Sequence, residues 1–107
     1  MRQYYIYLLA SESRRFYTGI TNDLQARVYQ HKHPAAETFA SRHRIDKLLY
    51  FEVVSSPTTA IRREKQIKCW PRIRRVRLVE LHNAGWVDLA RGWFPGTTQR
   101  DLTSGNP

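Results

Sequence analysis

A chain of 107 residues has room for one domain built on one core. Hydrophobic residues make up 41% of it, which excludes an unfolded polar chain. Lys plus Arg outnumber Asp plus Glu by 18 to 9, a net charge of +9, so the partner expected is a polyanion: nucleic acid first, an anionic membrane surface second.

The one cysteine, Cys69, excludes an internal disulfide framework and a cysteine-built zinc site, and it fits a reducing cytoplasm. No stretch approaches the roughly 20 apolar residues of a membrane span. The opening residues lack the long apolar region of a secretory leader. The expectation is a cytoplasmic protein with no membrane role.

Residues 4–9 are aromatic, β-branched or leucine and predict a strand. Ser11–Arg15 is polar and predicts a turn. Phe16–Ile20 predicts a second strand, closing an antiparallel hairpin. Alternation puts Tyr5 and Tyr7 on one face of the first strand, and Tyr17 and Gly19 on one face of the second.

Asn22 is placed as an N-cap, with Gln25 three residues on at capping-box spacing. The helix it opens should run to about Lys32, before Pro34 breaks it. Leu24, Arg27, Val28 and His31 fall on one face of that helix, which sets two ionisable groups in the stripe expected to be apolar. Residues 35–45 read equally as a helical turn or a loop, ending in Arg42, His43 and Arg44. Lys47–Val54 predicts a third strand.

Ser56 and Pro57 predict a helix start, the serine as cap and the proline in the first turn. Glu64 lies three residues after Ile61 and three before Ile67, so it interrupts that helix's apolar stripe. Pro71 closes the helix and opens another over Arg72–Asn83, where Ile73, Val76, Leu78, Val79 and Leu81 alternate with arginines. Gly85 is the expected stop. Trp86, Trp93 and Phe94 should dock on the core, and 95–107 should form a polar tail after a domain of residues 1–94. The fold class expected is α/β, of the α+β kind. It is a three-stranded antiparallel sheet flanked by helices, in the order β-β-α-β-α-α.

The order Tyr5-Ile6-Tyr7, then Tyr17-Thr18-Gly19, then Arg27 and His31, then Glu64, resembles the GIY-YIG nuclease superfamily. The strings Tyr17–Arg27 with His31-Lys32, Ala60–Trp70 and Trp86–Leu89 are similar to its small stand-alone bacterial branch. The resemblance covers about residues 4–90. Tyr5 stands where the name motif has glycine, and Thr18 where it has isoleucine; neither position supplies a reactive group in the family.

That resemblance implies a DNA endonuclease with Tyr7, Tyr17, Arg27, His31 and Glu64 as catalytic residues. Glu64 would be the main ligand of one Mg²⁺ or Mn²⁺, a hard ion that keeps water and phosphate in its other positions. Arg27 would bind a phosphate oxygen. Tyr7 resembles the tyrosine assigned as general base, helped by a nearby cation. His31 would relay the proton, its titration range suiting the task. Tyr17 would orient water or phosphate.

Lys32, Arg42, His43, Lys68, Arg72, Arg74 and Arg75 are candidate nucleic-acid contacts. The aromatic content of 12% adds rings able to stack on unpaired bases. The expected substrate is single-stranded, flapped or branched DNA, in repair, recombination or DNA uptake. The rival reading is a binding module that keeps the fold without catalysis.

Overall fold

The computed structural model of the protein describes residues 2–95. The tail expected over 95–107 lies, apart from residue 95, outside them.

Strand β1 (Tyr4–Ala10) organises the rest because it carries apolar side chains on both faces. Ile6, Tyr7, Leu8, Leu9 and Ala10 are all 0% exposed, which a strand achieves only at the centre of a sheet covered on both sides. β2 (Phe16–Thr21) pairs antiparallel along one edge and β3 (Lys47–Val54) antiparallel along the other, giving the order β2-β1-β3.

Alternation along β1 splits the core in two. Tyr7 and Leu9 join Leu24 and Val28 of α1 (Leu24–Lys32), with Ala40, Ile45, Leu48 and Ala90. Ile6, Leu8 and Ala10 join Ala60 and Ile67 of a second helix and Val79 of a third. A bulge in the β1–β3 pairing, between Leu8 and Leu9, sets Leu8 opposite Tyr50 and Leu9 opposite Leu48. The extra residue, Leu49, therefore turns to the second core while Leu48 serves the first.

The helix ends are fastened by side chains. α1 is capped by Asp23, whose carboxylate accepts from the Ala26 N–H at 3.1 Å, and not by Asn22 as predicted. The Thr21 hydroxyl already holds the Asp23 N–H at 3.0 Å, which sets the chain entering the helix one residue later. Residues 35–45 resolve into a single-turn helix, α2 (Phe39–Arg42). Ser56 caps α3 (Pro57–Cys69) as expected, with proline in its first turn.

The buried stripe of α3 is Ala60, Glu64 and Ile67, at helical spacing; Ile61, expected inside, is 49% exposed. In α4 (Arg72–His82) Val79 is fully buried and Leu78 packs beside it, while Ile73 and Leu81 are 54% and 78% exposed and do not reach the core. α4 ends at His82, two residues before Gly85's neighbour Ala84. The Asn83 side chain donates to the Leu49 and Val87 carbonyls and accepts from the Val87 N–H. Asn83 is thus a buried strut.

Lys32, expected as a nucleic-acid contact, is instead held in an ion pair. Its ammonium is 2.6 Å from the Asp88 carboxylate and 2.9 Å from the Asp46 carbonyl, with its side chain 7% exposed. Asp88 also accepts from the Leu48 and Ala90 N–H groups. The pair staples the segment after α4 to the end of α1, and Lys32 is withdrawn from any nucleic-acid surface. Trp93 and Phe94 then pack on the first core and Trp86 on the second. Among the described residues no helix is long and apolar enough to cross a membrane.

Removing one partner of a buried pair strands the other charge. Asp88→Ala should cost about 3–5 kcal/mol in urea unfolding. A loss under about 1 kcal/mol would show that Lys32 reaches solvent on its own.

Candidate active site

The register of the hairpin builds the site. Tyr7 lies directly opposite Gly19 and Leu9 opposite Tyr17, so both tyrosines face α1. The Tyr7 ring crosses the space above Gly19: a Cβ there would overlap the Tyr7 Cζ and hydroxyl oxygen. Glycine is needed at 19 for this close approach and not for a turn. Its neighbour Thr18 sits opposite Leu8 and so faces the other core, its buried hydroxyl without a hydrogen-bond partner.

α1 supplies the next two groups one turn apart. The His31 Nε2 lies 3.3 Å from the Tyr7 hydroxyl. The imidazole also packs edge-on to Tyr7 at 5.9 Å and against Tyr17 at 5.0 Å between ring centroids. The two tyrosine rings are 6.2 Å apart. Arg27 stands beside the same phenol, and its interaction with Tyr7 is the main reason its guanidinium is held even more firmly charged. Arg27 is otherwise exposed and touches the Gln30 amide oxygen at 3.3 Å.

Burial sets the proton affinities here. It pushes the Tyr7 phenol up to about 12, and the opposing pull of Arg27 does not make up the difference. Burial, then the Arg27 charge, pushes His31 down to about 4. The nearby cation acts on Tyr7 in the direction expected from sequence but is outweighed. His31 does not titrate near neutrality and stands as a neutral imidazole. Arg27 has only donors to offer and His31 is the hydrogen-bond partner of the phenol, so we assign the phenol's own proton to His31 Nε2.

Glu64 is buried on the α3 face that packs against β1 and β2, 8% exposed. Its carboxylate accepts from Lys68 one turn on, at 2.7 Å. Lys68 is held charged chiefly by its bond to Glu64. Tyr7, Tyr17, Arg27 and His31 are thus brought together, whereas Glu64, whose neighbours Ala60 and Ile67 pack in the second core, pairs with Lys68 and touches none of the four. Among the described residues no cluster of three or more His, Cys, Asp or Glu could cage a metal ion. A metal here would rest on one carboxylate.

The remaining nucleic-acid candidates divide. Arg42 is exposed and pairs with Glu37 at 3.0 Å. His43 rests against the Phe39 ring at 4.4 Å. Arg74 lies over Trp70 at 4.3 Å, and Arg72 and Arg75 over Phe16 at 5.2 and 5.6 Å. These arginines cover aromatic rings as well as facing solvent, which the helical spacing alone did not show. Unforeseen too was a groove of about 510 Å³ between Tyr17, Arg27 and His31 on one wall and Pro34–Ser41 on the other. No carboxylate lines it.

Two measurements check the cluster. Histidine NMR should give His31 a midpoint near 4, not its ordinary 6.5. The unfolded chain then protonates first, so this contribution to stability is full above pH 6.5 and is lost as pH falls towards 4. A midpoint of 6 or higher would contradict the burial and the Arg27 contact. Gly19→Ala should displace the Tyr7 ring and lose about 1–3 kcal/mol by overpacking. An unshifted Tyr7 ring resonance in that variant would contradict the close approach.

Comparison with known proteins agrees with this architecture. The family model described as the GIY-YIG catalytic domain matches residues 3–75. A UPF0213 protein of Staphylococcus haemolyticus is 30% identical over 80 residues, 75% of this chain and 98% of the relative. A UPF0213 protein of Staphylococcus aureus strain N315 is 28% identical over 80 residues, with the same coverage of 75% and 98%. The solution NMR structure of a UPF0213 protein from Bacillus halodurans has the same fold, with a TM-score of 0.53 at 23% identity over 80% of this chain and 92% of that one. The tyrosine hairpin, the helices that answer it and these matches lead to one conclusion: the chain belongs to the GIY-YIG nuclease family.

Proposed function

We propose that the protein is a metal-dependent DNA endonuclease that hydrolyses phosphodiester bonds in single-stranded, flapped or branched DNA. It would act in the cytoplasm, in repair, recombination or processing of incoming DNA. The observation that carries this reading is the Tyr7–His31–Arg27 cluster. A phenol, a neutral imidazole and a permanent cation share one contact beside an open groove free of carboxylates.

Arg27 binds a non-bridging phosphate oxygen, for which a guanidinium is well matched in charge and shape. The attacking water gives its proton to the Tyr7 oxygen as the Tyr7 proton passes to His31 Nε2. This relay avoids a free phenolate, which a phenol pushed up to about 12 would seldom supply at neutral pH. Phosphate bound to Arg27 also cancels part of the positive charge that holds His31 down, so the imidazole becomes more basic once substrate is in place. Tyr17 packs on His31 and fixes its ring.

Glu64 fits a hard divalent ion: it offers buried anionic oxygens, and its ion-pair partner, Lys68, is an exposed side chain. Such an ion, when bound, supplies Lewis acidity and neutralises phosphate charge. Mg²⁺ and Mn²⁺ are the candidates.

The test is incubation with single-stranded, duplex and branched DNA, with Mg²⁺, with Mn²⁺ and with chelator. Cleavage should need metal and favour unpaired or branched DNA. Glu64→Ala should end cutting and leave DNA binding largely intact, and Tyr7→Phe should slow it by about 10²–10⁴. With the relay, kcat/KM should stay flat between about pH 5.5 and 8, falling only towards the His31 midpoint. A tenfold rise per pH unit would replace the relay with a free phenolate. No cleavage under any condition would sink the nuclease reading and leave a binding module.

A further inference from the structure

Phe39 is an aromatic residue that the fold does not use. It opens α2, the one-turn helix, yet of that helix only Ala40 enters the core and Phe39 remains 57% exposed. Its position is nonetheless fixed. Thr38 accepts from the Ser41 N–H at 3.1 Å while Ser41 accepts from the Thr38 N–H at 2.8 Å, a reciprocal cap around the ring's own residue. His43 braces the ring at 4.4 Å, and the Arg15 guanidinium lies 5.9 Å from its centroid.

This held, half-open ring forms one wall of the groove whose other wall carries Tyr17, Arg27 and His31. A phosphate on Arg27 therefore has a flat π-surface across the groove from it. Bases inside a duplex have both faces covered by neighbours, so only an unpaired base can offer one to Phe39. The surroundings favour a nucleotide over an apolar protein side chain: Arg27 lines the groove, Arg15 and Arg42 adjoin its Phe39 wall, no carboxylate is among its lining residues, and Glu37 beside it is tied to Arg42.

We propose that Phe39 is a stacking platform for an unpaired nucleobase adjoining the phosphate held at Arg27, with His43 bracing the ring and the Arg15 cation over it. The inference rests on the nucleic-acid reading of the groove and deepens it, because it names the residue that tells unpaired from paired DNA. Phe39 touches substrate but no reacting atom, so it acts on binding and positioning and not on proton transfer.

The full chain is titrated, in chelator so that no DNA is cut, into a single-stranded oligonucleotide containing 2-aminopurine and into a duplex of the same sequence. Stacking quenches 2-aminopurine. The wild type should quench the single strand, and Phe39→Ala should lose the quench and bind it about 5- to 150-fold more weakly. Duplex affinity should be unchanged. Phe39→Tyr keeps the π-face and should restore both quench and affinity, which separates a lost platform from a damaged fold.

Phe39→Ala binding and quenching like the wild type would overturn the proposal, as would a wild type that does not bind the single strand. Equal loss on single strand and duplex would overturn it too. If DNA is cut but Phe39→Ala behaves as wild type, the nuclease reading stands and the platform falls. If the quench depends on Phe39 but no DNA is ever cut, the platform stands and the nuclease reading falls.

Discussion

The contact on which the structure turns is the Tyr7 ring lying over Gly19. β1 must be buried on both faces to hold two cores together, and a tyrosine in such a strand has a hydroxyl that needs a partner. The missing Cβ of Gly19 lets the ring lie across the hairpin, and the partners it meets are His31 and Arg27 from α1. The packing of the core and the placing of a proton-sharing group are one event. A larger residue at 19 would cost both at once.

Charge is sorted by the same fold. The basic surplus of this small domain is not a uniform coat: the cations have different tasks. Lys32 is spent on Asp88 to hold the last segment in place, and Arg63 grips Glu52 while lying over Trp70. Arg72, Arg74 and Arg75 cover Phe16 and Trp70. Arg27 is the cation set against a phenol beside an open groove, where its charge also keeps His31 neutral.

Much of the architecture was legible because period and punctuation are local signals. The three strands, the Ser56-Pro57 start of α3 and the end of α1 at Lys32 follow from alternation, capping and proline. The failures were tertiary. Ala60, not Ile61, faces the sheet with Glu64, which no single-helix period distinguishes. Lys32 looked like a free cation because its partner Asp88 lies 56 residues away in sequence. Arg27 and His31 were visible as ionisable groups at i, i+4, but not that burial moves the imidazole to about 4. Phe39 fell in a stretch with no clear period, and only the groove gives it meaning.

The most direct measurement is the position of a phosphate: a structure of the full chain with an uncleavable single-stranded oligonucleotide and metal. The central claim predicts a phosphate bonded to the Arg27 guanidinium and within reach of the Tyr7 hydroxyl, with Tyr7 still joined to His31. A strand bound along the arginines of α4, with the Arg27 groove empty, would contradict it.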